Sequence, residues 1–306
     1  MWIANNWKDY EVLDTGNCER LEKWGDYTLR RPDPQVIWPR NPSSAGLWKK
    51  VNGVYHRSEK GGGTWEDKGG LPKEWNIIYR INYENKDNSS ADTLIFNLKP
   101  FSFKHTGLFP EQAANWDVMH TLVKKRVSQT GAPVRVLNLF AYTGGATCAL
   151  LSAGAHVTHV DASKGMVSWA KENAEASGLG DAPARYLVDD CVKFVNREIR
   201  RGNTYDAILL DPPSYGRGPG GELWKLEDNI FSLLQLLSKL LSREPLFVFL
   251  NSYTTGLQPG VLDYMMHRVF DGIKKGRIEA EELGLPVTSC SLVLPCGACG
   301  RLIFDN

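Results

Sequence analysis

Val134-Arg135-Val136-Leu137-Asn138-Leu139-Phe140-Ala141-Tyr142-Thr143-Gly144-Gly145 is the stretch on which the reading of this chain turns. Val134–Phe140 is a compact apolar run of strand length, and paired glycines follow it almost at once. Such glycines let the backbone turn tightly and approach a ligand, and a helix is expected from Gly144 to Ala153. The same punctuation recurs downstream. A strand at His156–Val160 leads to a helix over Ser163–Ser177, and Ala184–Val188 leads to a helix over Asp190–Arg201. Tyr205–Leu210 then passes through a glycine-rich loop to a helix over Asp228–Leu241. Leu246–Leu250 gives a further strand, residues 258–275 a further helix, and Ser291–Leu294 with Arg301–Phe304 a terminal antiparallel pair. Near-continuous apolar strands alternating with amphipathic helices predict a parallel sheet covered on both faces.

In open sheets of this kind ligands bind beyond the carboxyl ends of the strands, at the switch point. The informative residues stand there. Asp161 ends the second strand, well placed to accept both ribose hydroxyls of a nucleoside. Asp190 follows the third, where a carboxylate can accept from an adenine amine, and the fourth runs into Asp211-Pro212-Pro213-Ser214-Tyr215. One acid after a strand is commonly a helix cap; the ordered set is specific. A nicotinamide dehydrogenase would use the second-strand acid in the same way, but it would carry G-x-G-x-x-G after the first strand. Here that turn has only Thr143-Gly144-Gly145. The string Gly216-Arg217-Gly218-Pro219-Gly220-Gly221 follows the fourth strand and holds a proline, so it reads as a mobile loop. Hydride transfer is excluded.

At 306 residues the chain exceeds a typical domain of ~100–200 residues, so two domains are expected, 1–100 and 101–306. The first is a small, mainly antiparallel β domain, for contact with substrate or as an interface. It is rich in tryptophan (Trp2, Trp7, Trp24, Trp38, Trp48, Trp65, Trp75) and broken by Arg31-Pro32-Asp33-Pro34, Asn41-Pro42-Ser43-Ser44 and Gly61-Gly62-Gly63. Strands are expected at Tyr27–Leu29, Gln35–Trp38, Gly53–His56, Trp75–Tyr83 and Leu94–Leu98. The tryptophans either form a base-stacking platform or, the favoured reading, pack in a core or interface.

The net charge of +1 gives no broad nucleic-acid footprint. No apolar run approaches the ~20 residues of a membrane span, and Met1–Asp9 lacks the order of a signal peptide. Cys148 and Cys191 fall in expected helices as buried free thiols, which points to a reducing, cytoplasmic location. Cys296-Gly297-Ala298-Cys299 is a single pair, whereas structural zinc needs four ligands. A glycine-rich hairpin with buried thiols, and no metal, is expected.

Taken together, Asn138–Gly145, Asp161, Asp190 and Asp211-Pro212-Pro213 resemble the class I methyltransferases related to the large-subunit ribosomal RNA base methyltransferases. The resemblance covers about residues 95–306 and includes Lys104-His105-Thr106-Gly107-Leu108-Phe109-Pro110-Glu111-Gln112. It implies a Rossmann-like α/β sheet of seven strands, mostly parallel with one antiparallel strand. It also implies S-adenosyl-L-methionine as cofactor, S-adenosyl-L-homocysteine as product, and Phe109 and Gln112 at the methionine end. The cofactor set is then Phe109, Gln112, Asn138, Phe140, Tyr142, Thr143, Gly144, Asp161, Ala162, Ser163, Asp190, Cys191 and Asp211. The N-terminal region resembles, less closely, the small central domain of those enzymes, and their N-terminal RNA-binding module is expected to be missing.

Asp211, Pro212, Pro213 and Tyr215 are the candidate catalytic residues. Prolines remove donors and fix φ, leaving carbonyls and the Asp211 carboxylate to accept from a target nitrogen, and Tyr215 can stack on an extruded ring. The plainer alternative is a rigid turn with Tyr215 packed against it. Methylation of cytosine at carbon-5 needs a cysteine thiolate to add to the ring. In the cytosine-methylating relatives that cysteine ends the fifth strand, where this chain has Phe249-Leu250-Asn251-Ser252-Tyr253. A nucleobase nitrogen is therefore the preferred acceptor. Asn251 either orients the base or caps the strand. The loop Gly216–Glu222 with Arg217, followed by Trp224 and Lys225, reads as an acceptor lid meeting phosphates, or as a surface loop. Ribosomal RNA is the expected partner, with no membrane and no obligate protein partner. A small-molecule or protein acceptor is the alternative, and a non-catalytic cofactor-binding protein comes behind both.

Overall fold

The N-terminal region folds as sheet because its short segments alternate buried apolar with solvent-facing charged side chains. In the computed structural model, which describes residues 1–58, 62–81, 93–101 and 105–305, a two-residue strand β1 (Trp2–Ile3) comes first. It is followed by β2 (Tyr10–Gly16), β3 (Glu19–Trp24), β4 (Tyr27–Pro32), β5 (Gly53–Arg57), β6 (Gly63–Asp67), β7 (Trp75–Arg80) and β8 (Thr93–Leu98). Strands β2 to β6 form one sheet in that order, antiparallel except between β4 and β5, and β7 pairs antiparallel with β8. These strands belong to a compact unit of Ile3–Ala113 with Gly284–Pro295. Leu21, Trp24, Leu29, Ile77, Tyr79 and Phe96 are fully buried in it, as are Trp7 and Trp48 in large part; Trp38 is 39% exposed.

Two expectations fail in this unit. Gln35–Trp38 is not a strand. Pro34 and Pro39 flank it and deprive a ladder of donors. Its carbonyls instead accept from Asn17 and Cys18 (2.7 Å each), where the β2–β3 hairpin turns with both residues at positive φ. Conversely β2 and β3 carry too many charged residues to read as strands, yet they form the hairpin. Of the other segments singled out, Gly61, Asn82, Tyr83 and Lys104 lie outside the described residues.

The second unit comprises Met1–Trp2, Ala114–Leu283 and Cys296–Asn306. In chain order come α1 (Ala113–Thr130), β9 (Arg135–Leu139), α2 (Gly145–Ser152), β10 (His156–Asp161), α3 (Lys164–Ala176), β11 (Ala184–Val188), α4 (Cys191–Arg201) and β12 (Ala207–Leu210). Then follow β13 (Tyr215–Arg217), β14 (Leu223–Lys225), α5 (Leu226–Ser238), β15 (Phe247–Ser252), α6 (Pro259–Phe270), β16 (Gly276–Pro286) and β17 (Val293–Phe304). Five parallel strands lie in the order β11-β10-β9-β12-β15. β17 joins β15 antiparallel, and β16 and then β1 complete an eight-stranded sheet. This is the expected Rossmann-like arrangement, with the two-residue β1 as an added edge. Leu137, Leu139, Ile208, Leu210, Val248 and Leu250 form the buried middle of the sheet.

The chain leaves β9 towards β10 and β11 and returns on the other side through β12 and β15, so the switch point lies above the carboxyl ends of β9 and β12. The C-terminal strands differ from expectation. α6 stops at Phe270, β16 runs through a glutamate-rich stretch, and β17 is one long strand where two short ones were expected. The glycines at its centre serve close packing, not a turn. A Cβ on Gly297 would lie 2.8 Å from the Tyr253 ring, and one on Gly300 2.5 Å from the Met266 sulfur. Cys296 and Cys299 therefore sit in strand, and the expected hairpin between them is absent.

Candidate active site

At the end of β9 the backbone winds through alternating left-handed residues, Phe140 (φ 54°), Tyr142 (φ 51°) and Gly144 (φ 80°). For the two side-chain-bearing residues this costs on the order of 1 kcal/mol each, a strain that persists only where surroundings enforce it. They do. Ala141 N donates to Val160 O (3.1 Å), Tyr142 N to Asp161 Oδ2 (2.8 Å), and Asn173 Nδ2 to Thr143 O (2.8 Å). At Gly144 a Cβ would come within 2.8 Å of the Ala170 Cβ, so only glycine can start α2 there.

Asp161 closes β10. Its other oxygen accepts from Ser163 N (2.8 Å), and among the described residues no basic side chain pairs with it. Burial pushes this carboxyl up, against the two backbone hydrogen bonds that lower it. Ser163 caps α3, its hydroxyl accepting from Met166 N. One strand over, Asp190 caps α4 by accepting from Lys193 N (2.8 Å), so the helix-cap reading of this acid is correct as far as it goes. The same carboxylate also lines a cleft with Phe140, Ala162, Cys191, Pro213 and Trp224. Apolar walls around one acceptor suit a planar ring bearing an amine. Burial pushes the Cys191 thiol up, so it is a neutral wall of that cleft.

After β12, Asp211 N donates to Leu139 O (3.3 Å), Pro212 is buried and Pro213 is exposed. Pro213 O accepts from Trp224 Nε1 (2.7 Å), and the Ser214 and Thr254 hydroxyls meet at 2.6 Å. Tyr215 is 58% exposed and opens a β13–β14 hairpin. The glycine-rich segment is thus an ordered hairpin and not a free loop, and an ion pair between Glu222 and Lys193 fastens it to α4. Arg217 and Lys225 face solvent. Trp224, expected with them in an acceptor lid, is 7% exposed with its ring 4.8 Å from Phe140, because its indole N–H is drawn inward by Pro213 O.

Asn251 ends β15 as a buried residue whose Oδ1 accepts from Asn115 Nδ2 (3.0 Å). Asn115 Oδ1 in turn accepts from Arg301 Nε (2.9 Å) and Nη2 (2.7 Å), and the Arg301 guanidinium lies over the Trp2 ring. Asn115 and Arg301 escaped the sequence reading, although an arginine inside the apolar run of β17 was a signal. Asn251 pairs in register with Cys299. Burial pushes that thiol up to about 12, so it supplies no thiolate near neutral pH. Phe109 and Gln112 belong to the N-terminal unit. There Phe109 precedes the 3-10 turn Pro110–Gln112, its ring 4.7 Å from that of His105, and Gln112 is buried with its N–H donated to Phe109 O (3.1 Å). Among the described residues, no group of three or more His, Cys, Asp or Glu side chains is close enough to hold a metal ion. No helix among them is long and apolar enough to cross a membrane.

A switch point flanked by the acid that closes β10, a cleft beside Asp190 and an Asp-Pro-Pro turn places the second unit in the Rossmann-like class. Residues 92–255 match the S-adenosylmethionine-dependent methyltransferase family, and the chain belongs to it. The enzyme is a methyltransferase and its cofactor is S-adenosylmethionine. A SAM-dependent methyltransferase from Agrobacterium tumefaciens, known from a crystal structure, superposes with a TM-score of 0.87 at 33% identity, over 98% of this chain and 92% of that one. The ribosomal RNA large subunit methyltransferase K/L of Shewanella sp. (strain MR-4) is 32% identical over 160 residues, 51% of this chain and 21% of that protein. Its namesake in Vibrio cholerae serotype O1 (strain ATCC 39315 / El Tor Inaba N16961) is 32% identical over 161 residues, 52% and 21%. The match thus spans about a fifth of the length of these curated relatives.

Proposed function

We propose that this enzyme methylates a nucleobase nitrogen of ribosomal RNA in the cytoplasm. The observation that carries the reading is the Asp211-Pro212-Pro213-Ser214-Tyr215 turn with its exposed ring, while burial keeps the Cys299 thiol protonated. The names of the Shewanella and Vibrio relatives support RNA as the acceptor class. The near-neutral charge of +1 favours a second reading, a small-molecule or protein acceptor.

The fit to S-adenosylmethionine rests on the Asp161 carboxylate, which has no cationic partner among the described residues, and on the ring cleft beside Asp190. Bound there, the cofactor supplies an electrophilic methyl on a sulfonium. In this reading Asp161, with Ala162 and Ser163 beside it, takes the ribose hydroxyls. Asp190 accepts from the adenine amine, with Cys191 as a wall. Asn138, Phe140, Tyr142, Thr143 and Gly144 line the methionine side. The first turn of α2 offers backbone donors to a carboxylate. Asp211 and the Pro212 carbonyl accept the N–H groups of the target, turning its lone pair towards the methyl, and the Asp211 carboxylate takes the released proton. Tyr215 stacks on the ring, Asn251 steadies its edge, and Arg217 and Lys225 meet phosphates. Residues 1–100 are assigned to contact with the acceptor or to an interface, and 101–306 to catalysis.

The test uses methyl-labelled S-adenosylmethionine, with RNA from cells lacking this gene. Label in one digested nucleoside, as a nitrogen-methylated base, is expected. Unlabelled RNA alongside tight cofactor binding would discard RNA and leave the second reading. Asp211→Ala should abolish transfer while cofactor affinity stays near wild type, and turnover at the wild-type rate would refute its role.

A further inference from the structure

We infer that Thr147 and His159 are positioning residues for the amino-acid end of the cofactor, because they fix which way the Asn138 side-chain amide points at the carboxyl end of β9. The inference rests on the proposed membership of Asn138 in the cofactor site.

The three residues form one buried chain of hydrogen bonds. Asn138 Nδ2 donates to Thr147 Oγ1 (3.0 Å), and Thr147 Oγ1 lies 2.9 Å from His159 Nδ1. Asn138 and His159 are register partners on β9 and β10, and Thr147 is a buried residue of α2. All three are buried. A hydroxyl has one proton to give. With Asn138 donating into it, Thr147 passes that proton to Nδ1, which assigns the ring proton of His159 to Nε2. Burial supports the same polarity by holding the ring neutral, its pKa lowered to about 3. A protonated ring would present a donor to Thr147 and break the sequence.

The consequence lies at Asn138. Its nitrogen is turned to Thr147, while its Oδ1 accepts no hydrogen bond within the described residues. A carbonyl oxygen without a donor is complementary to an ammonium, such as the α-amino group of a methionine moiety; a reversed amide would turn its own N–H groups on that cation. A packing role does not account for the arrangement. His159 Nε2 is buried without a hydrogen-bond partner among the described residues, a cost that apolar side chains at these strand positions would avoid. The polar chain is therefore kept for what it does to the amide.

Calorimetry on the full chain tests this with two ligands, S-adenosylhomocysteine and 5′-methylthioadenosine, which share adenine, ribose and sulfur but differ in the amino-acid portion. Thr147→Val keeps the shape and removes both hydrogen bonds. It should weaken S-adenosylhomocysteine about tenfold, ~1.4 kcal/mol, and leave methylthioadenosine unchanged. His159→Asn, whose Oδ1 stands near the position of Nδ1, should bind S-adenosylhomocysteine more tightly than His159→Leu; this pair serves if Thr147→Val does not fold. Equal weakening of both ligands, or of neither, overturns the inference. So does a wild-type chain that binds the two ligands equally well. A wild-type chain that binds neither ligand instead removes the cofactor-site reading beneath it.

Discussion

Two acids, one in each unit of this chain, are answered in opposite ways. In the N-terminal unit Glu22 has no exposure, yet Arg31 meets both of its oxygens (2.6 and 2.7 Å) and the Tyr10 hydroxyl adds a third hydrogen bond (2.7 Å). Burial alone would push that carboxyl up, but Arg31, Arg20 and the hydrogen bonds bring it down to about 2. In the second unit Asp161 is answered, among the described residues, by two backbone N–H groups alone and its carboxyl stays raised, while His159 is buried neutral. One acid is compensated within the protein, and the other keeps acceptor capacity that a ligand can satisfy.

The largest effect should come from breaking the compensated cluster. Arg31→Met leaves the Glu22 carboxylate buried with no guanidinium on either oxygen, because Arg20 reaches it only at 3.7 Å. A loss of about 3–5 kcal/mol is expected in chemical denaturation. A loss below about 1 kcal/mol, the range of exposed pairs, would mean that the cluster is solvated and that the contrast between the units is false.

Acid should separate the units next. His159 has an ordinary pKa of 6.5 and about 3 when buried, so the unfolded chain binds its proton first. Its contribution is complete above pH 6.5 and is lost as pH falls towards 3, at up to about 1.4 kcal/mol per unit. Glu22, lowered from 4.5 to about 2, also favours the fold, but its contribution is lost only between those values. Between pH 6.5 and 5 the destabilisation should therefore belong to His159, and His159→Leu should flatten that limb while leaving the limb below pH 4.5. A wild-type stability that does not change above pH 5 would show the imidazole to be solvated.

The parallel sheet and its acids were legible because near-continuous apolar strands end, one after another, in Asn138, Asp161, Asp190 and Asp211. That is a one-dimensional signal. What stayed hidden depends on partners far off in sequence. β16 carries Glu279, Glu281 and Glu282, and is a strand only because it pairs with β17. Gly297 and Gly300 read as a turn because nothing local announces the Tyr253 ring or the Met266 sulfur. Trp224 looked available to an acceptor until Pro213 O was found 2.7 Å from its indole nitrogen. His159 read as an unremarkable strand residue, and only its pairing opposite Asn138 gives it a role.

A smaller change sharpens the contrast from the ligand side. Asp161→Asn keeps an acceptor for one backbone N–H and removes a carboxylate that burial disfavours. The folded pKa of Asp161 lies above its ordinary value, so at neutral pH the ionised group weakens the fold. Asp161→Asn should then hold or raise the denaturation midpoint while S-adenosylmethionine binds about 1–3 kcal/mol more weakly through loss of charge-assisted hydrogen bonds. A variant that is both less stable and unchanged in affinity would place Asp161 with Glu22, among residues that only hold the fold.

The smallest effect is expected at the β13–β14 hairpin, where charge is again compensated but at the surface. Lys193 on α4 and Glu222 on the hairpin pair, and each raises or lowers the other's pKa in the sense of a formed ion pair. Both groups are solvated, so Glu222→Gln should leave the denaturation midpoint within experimental error. What the pair does is tie the hairpin to α4, and that predicts a slight loss of cofactor affinity, less than for Asp161→Asn. Salt discriminates here. Raising ionic strength from about 0.1 to 1 M shortens the screening length to about 3 Å, so wild-type affinity should fall to that of Glu222→Gln while the variant stays where it was. If both respond alike, the hairpin is held by its own ladder and by the Trp224–Pro213 hydrogen bond, with no contribution from the ion pair.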